Sequence, residues 1–188
     1  MQNSKLVKLL KTFTKTELRE FQKFVESPYF SPGRDLSGLL KILKKYYPGF
    51  TGRNFTAEKI SAQLGKNGKP AGKNLLKMQL SELYKMAEKF ISLEGWKTQP
   101  GLNTYFFANL CKKKGLYDMA EARIRKEILN SPETGIDWRY YQNYHFSRVE
   151  LLNLLFLKDK PVEAIENLNV LSETVLHQFL SFAMRYIY

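Results

Sequence analysis

The sequence predicts an all-α protein built from two unlike halves. Apolar residues recur at spacings of three and four along most of the chain, and no stretch alternates in the manner of a strand. Proline or glycine punctuates almost every apolar run, at Pro28, Pro48, Gly65, Gly101, Gly115, Pro132 and Pro161.

Taken in order, Leu6, Leu9 and Leu10 among lysines predict a short amphipathic helix over 3–11. Thr14 and Glu17 have the spacing of a capping box, which opens a helix over 15–26 with Leu18, Phe21, Phe24 and Val25 on one face. Ser27-Pro28 ends it, because the residue before proline is pushed out of helical geometry. Leu36, Leu39, Leu40 and Leu43 predict a helix over 34–46, stopped by Pro48-Gly49. Thr56 opens a helix to Leu64, with Gly65 as its stop, and a basic turn rich in glycine follows.

From Lys73 to Leu93, the residues Leu76, Leu80, Leu83, Ala87 and Phe90 form one continuous seam. Gly95 through Gly101 has a linker's composition, so the domain boundary is expected near residue 98, giving domains 1–98 and 99–188. Beyond it, helices are expected over 102–114, 117–130, 136–157, 161–171 and 173–187. The first of the two domains should hold about five helices.

Composition narrows the class. A chain of 188 residues with 44% hydrophobic content is long and apolar enough to bury a core. Its aromatics, 14% of the residues, cluster at Tyr46-Tyr47, Phe106-Phe107 and Tyr140-Tyr141, where packing between helices is the first expectation. The single cysteine, Cys111, excludes a disulfide framework and a cysteine-rich metal site, and reads as a buried small hydrophobe. Lys8, Lys11 and Lys15 interrupt the first apolar run, so it does not read as a signal peptide. No run of eighteen apolar residues occurs, and a cytoplasmic protein without a membrane partner is the expectation.

The net charge of +12 is unevenly spread. Residues 1–100 hold 19 Lys and Arg against 8 Asp and Glu, a net of +11, whereas residues 101–188 hold 11 against 10. An anionic partner for the first half is one implication, and a lysine-rich solubilising surface is the other.

The second half resembles a tetratricopeptide repeat. The match covers 101–134, with Phe107 and Ala108 on a first helix, Gly115 to Ala120 across the turn, Ile124 and Ile128 on the buried face and Pro132 at the close. The resemblance implies paired helices that approach closely at small residues and stack into an array. A second unit has Ala164, Ile165 and Leu168 at the corresponding turn, but its alanine follows Ala120 by 44 residues where the family's repeat is 34. The first half, from Leu9-Leu10 through Phe24 and then Ser27-Pro28-Tyr29-Phe30 and Tyr46-Tyr47-Pro48, resembles the opening of a family of uncharacterised bacterial helical proteins. That family continues into helical repeats in a longer chain and implies no activity. With Ala183 to Tyr188 ending inside an apolar helix, the expectation is that the 188 residues form the N-terminal portion of a longer chain.

Chemistry finds little to stand on. His145 and His177 have no carboxylate or cysteine at metal-ligand spacing, and none of the usual nucleophile or nucleotide motifs occurs. Gly65 to Asn74 superficially resembles a phosphate loop, yet no strand is expected before it and Asn74 stands where a Ser or Thr would hold magnesium. No catalytic residue, cofactor or metal is therefore assigned, and the chain reads as non-enzymatic.

Two binding readings remain. In the first, the chain is a protein–protein interaction scaffold whose helical hairpins offer a groove to a peptide or helix, with Tyr105, Tyr140, Tyr141 and Tyr144 as groove candidates. In the second, it is a nucleic-acid-binding regulator. The segment 56–93 has the order of a helix-turn-helix, with Lys66, Lys69, Lys73, Asn74 and Lys77 as candidate contacts. Its turn is longer than usual and contains no arginine for guanine reading. Lys112-Lys113-Lys114 reads as a solvated helix end.

Overall fold

The computed structural model describes residues 1–31, 33–65, 69–130 and 138–187, with the side chains of all of these except 138–140 and 185–187. Among the described residues the regular elements are all α-helical. They are α1 (Lys5–Leu10), α2 (Lys15–Glu26), α3 (Ser37–Lys44), α4 (Ala57–Leu64), α5 (Lys73–Lys97), α6 (Pro100–Lys113), α7 (Tyr117–Asn130), α8 (Trp138–Leu157) and α9 (Pro161–Ile187). The chain divides into two compact units, Met1–Leu93 and Glu94–Tyr188, so the division falls inside α5.

In the first unit, local sequence dictates the helix starts. Ser4 caps α1 by accepting from the Val7 amide. The Thr14 hydroxyl accepts from the Glu17 amide at 3.1 Å, and the Thr14 amide donates back to the Glu17 carboxylate at 2.6 Å, completing the capping box of α2. The apolar faces so aligned close on one core. Phe21, Leu40, Leu43, Ile60 and Leu83 are each wholly buried within it. Phe90 of α5 is its aromatic hub, with ring centroids 5.4 Å from Phe21, 5.7 Å from Phe24 and 5.8 Å from Phe13. Each such pair adds about 0.5–1.5 kcal/mol to what its area burial already contributes. Phe50 lies in the left-handed region, with φ of 50°, yet is fully buried. Contacts with the rings of Tyr47 and Phe55 hold it in this strained geometry.

The second unit is built differently. Helix α6 packs on α7 and α8, α7 packs on α8, and α8 packs on α9. Ala108, Ala120 and Ala164 sit at these crossings with no exposed surface, joined by Cys111, Ile124, Leu151, Leu154 and Leu155. Gly101 belongs to the same design: a Cβ there would lie 2.6 Å from the Asn143 carbonyl oxygen, so only glycine lets α6 approach α8 so closely. Small residues bring the helices together, and charge ties them. Lys112 of α6 donates to Glu150 of α8, whose side chain is only 3% exposed. Lys158 donates to Asp118 at 2.7 Å and Glu121 at 2.6 Å, and Arg125 reaches both Glu121 and Glu163.

Several sequence expectations are corrected. Gly95 and Trp96, read as linker, continue α5, and Pro100-Gly101 opens α6. A single mid-helix glycine costs only about 1 kcal/mol, and proline is harmless at the first helical position. The helices expected over 161–171 and 173–187 are one, because no proline or glycine interrupts residues 162–187. Ser172 turns its hydroxyl back onto the Leu168 carbonyl, at 2.9 Å, without breaking the ladder. Lys112 is not a solvated helix end. Only Lys113 and Lys114 are exposed.

Candidate functional site

Helix α4 is capped by Thr56, which accepts from the Lys59 amide, and it stops at Gly65. A Cβ on Gly65 would lie 1.9 Å from the Lys69 carbonyl oxygen, so the chain can fold back here only through glycine. Ser61 completes the return. Its carbonyl accepts from the Ala71 amide at 2.9 Å, and its hydroxyl donates to the Ala71 carbonyl. The part of the turn nearest α5 is thus tied to α4.

This returning strand of loop separates two clefts. One, of about 710 Å³, lies between α4 and the start of α5 and is mainly apolar, with Lys73 and Lys77 on its rim. The other, of about 950 Å³, is lined by α3, the end of α4, Lys69 and Gln79. Gln79 is 7% exposed, and its Oε1 has no hydrogen-bond partner among the described residues. Of the candidate nucleic-acid contacts, Lys69, Lys73, Asn74 and Lys77 are all exposed. Lys73 and Lys77 share one cleft and Lys69 lines the other. Glu58 borders the first cleft, and its carboxyl is lowered by hydrogen bonds at the α4 start, with Lys73 adding a smaller coulombic effect. Lys66 lies outside the described residues.

Of the tyrosine candidates, Tyr105 and Tyr141 meet rings on another helix, whereas Tyr144 is engaged within α8. Tyr105 of α6 is half-buried, with its ring 6.0 Å from Phe146 of α8. Tyr141 stacks on His177 of α9 at 5.7 Å, with an interplanar angle of 9°. Tyr144 accepts a hydrogen bond from Arg148, whose guanidinium also lies 4.9 Å from the Tyr144 ring centre. The Tyr140 side chain lies outside the described residues. His145 of α8 is half-buried, and burial pushes its imidazole below the ordinary value.

The most extensive exposed feature of the second unit is one that spacing alone did not single out. Helix α9 turns Ala164, Asn167, Leu171 and Thr174 inward, yet Ile165, Leu176 and Phe179 are 61%, 58% and 65% exposed. Leu168, Val175 and Leu180 extend this second apolar face, and Phe106, Phe107 and Leu110 of α6 are exposed as well. These adjoining exposed apolar side chains make α9 the candidate interaction surface of the second unit. The usable signal was that α9 carries more apolar positions than one stripe of an amphipathic helix needs.

Fold and surfaces together define an all-α protein of two helical units. No family model matches the chain, and neither a curated protein nor a solved structure is significantly similar to it. Among the described residues no helix is long and apolar enough to cross a membrane, and no cluster of metal-ligating side chains occurs.

Proposed function

We propose that the chain is a non-enzymatic protein–protein interaction scaffold of the cytoplasm, in which stacked, tetratricopeptide-like hairpins of the second unit receive a peptide or helix. The observation that carries this reading is the second apolar face of α9. Ile165, Leu176 and Phe179 lie along the same side of a helix whose opposite side is already packed on α8. Covering three side chains of that size contributes several kcal/mol of driving force, at about 25 cal/mol per Å² of apolar surface removed from water.

A second reading, a nucleic-acid-binding regulator, rests on Lys69, Lys73 and Lys77, which are exposed and form no ion pair among the described residues. Cations placed in this way bind phosphates with a strength that falls steeply with salt. One experiment separates the two. The full chain, its Leu176→Asp/Phe179→Asp variant and its Lys69→Glu/Lys73→Glu/Lys77→Glu variant are used as baits in cell extract, with and without nuclease. The scaffold reading expects a protein that survives nuclease, is lost with the α9 variant and is kept by the lysine variant. Bound material that disappears with nuclease and follows the lysines would make the second reading correct.

A further inference from the structure

Resting on the scaffold reading, we infer that the partner of the α9 face is a basic amphipathic helix. From Pro161 to Met184, α9 contains Glu163, Glu166 and Glu173 and no Lys or Arg, in a chain whose net charge is +12. Glu163 is paired with Arg125 and Lys160. Glu166 and Glu173 are exposed and make no ion pair among the described residues. Arg125 and Arg148 line the same small cleft as Glu166, but Arg125 is engaged by Glu121 and Glu163, and Arg148 by Asn167 and Tyr144.

At 100° per residue, Ile165, Leu168, Leu176 and Phe179 fall on one side of α9, and Glu166 and Glu173 fall together along one edge of it. Seven residues separate the two carboxylates, which is the heptad interval at which an adjacent helix presents its own flanking charges. An apolar stripe bordered by paired acidic positions is complementary to a helix with an apolar stripe bordered by Lys or Arg. It discriminates against a second copy of α9 packed antiparallel to the first. In an antiparallel pair of copies, like edges would meet and set glutamates against glutamates.

The test uses the full chain and two synthetic helical peptides of about three heptads with an identical leucine seam. One peptide carries Lys at the flanking positions and the other Glu. Fluorescence anisotropy at low salt should show the Lys peptide binding about tenfold more tightly, a gap of about the size that a few exposed ion pairs supply. The preference should shrink at high salt and reverse in the Glu166→Lys/Glu173→Lys variant. Both substitutions are at exposed sites, and circular dichroism verifies that the variant keeps its helices. Equal affinity for the two peptides overturns the basic-partner inference while leaving a scaffold with a charge-blind face. Binding of neither peptide also overturns it; the scaffold reading itself fails only if the extract experiment too finds no protein dependent on α9. A dimer of the chain that dissociates on Leu176→Asp would replace the basic helix with a second copy as the occupant.

Discussion

The two units solve the same problem with different materials. The first unit closes its core with large side chains, in which Phe13, Phe21, Phe24 and Phe90 touch and the surrounding leucines are fully buried. The second sets alanines and a glycine beside Ile124, Leu151, Leu154 and Leu155 in its core, ties its helices with ion pairs, and leaves Phe106, Leu176, Phe179 and Phe182 at the surface. The same residue type therefore does opposite jobs. Phenylalanine is packed in the first unit's core at Phe13, Phe21, Phe24 and Phe90, and in the second it is exposed at Phe106 and Phe179. A unit that keeps its largest apolar groups outside has less core to hold it together, so close helix approach and charge carry more of the load.

The contrast is broken most severely by Phe21→Ala. Phe21 has no exposed surface, and its loss should cost about 3–5 kcal/mol, read as a lowered urea midpoint of the first unit. In the second unit the corresponding weak point is Gly101. Gly101→Ala forces a methyl against the Asn143 backbone and should destabilise by about 1–3 kcal/mol, whereas alanine in place of an ordinary helical glycine would stabilise.

Acid sharpens the comparison further. The Glu121 carboxyl is held below its ordinary value because Lys158 donates to it, with Arg125 adding a second bond, and Glu163 is lowered by Lys160 and Arg125. A depressed folded pKa gives stabilisation that is complete above the unfolded carboxylate value of about 4.3 and lost as pH falls through the lower, folded value. The second unit should melt at lower temperature when the pH is brought below about 4, and Glu121→Gln should flatten that dependence. Thr14→Ala, which removes the cap of α2, should cost the first unit about 1 kcal/mol. Smallest of all, Phe179→Ser should change stability by no more than about 0.5 kcal/mol, because the ring is already in water. The distance between the Phe21 and Phe179 results measures the difference between the two units.

Much of the helical framework was legible because local chemistry specifies it. The Thr14-Glu17 box sets the start of α2 and Ser27-Pro28 its end, and α7 spans Tyr117–Asn130 as its punctuation suggests. The errors came where a residue's effect depends on what lies across from it. Gly95 and Gly101 look like linker in sequence, but one continues a helix and the other makes room for the Asn143 backbone. Lys112 resembles its neighbours Lys113 and Lys114 until Glu150 of α8 comes against it. The α9 face was hidden for a related reason: helical spacing reports which residues share a side, and only packing reports which side is covered. The lysines around the α4–α5 turn were legible as cations, but their division between two clefts was not.

The most direct measurement is a methyl-resolved NMR titration of the full chain with the Lys-flanked helical peptide. Shifts confined to Ile165, Leu168 and Leu176, with the buried Leu39 and Leu83 of the first unit unmoved, are the expected result. Shifts concentrated instead at Leu75, Leu76 and Leu80, beside Lys73 and Lys77, or no shifts at all, would contradict a docking face on α9.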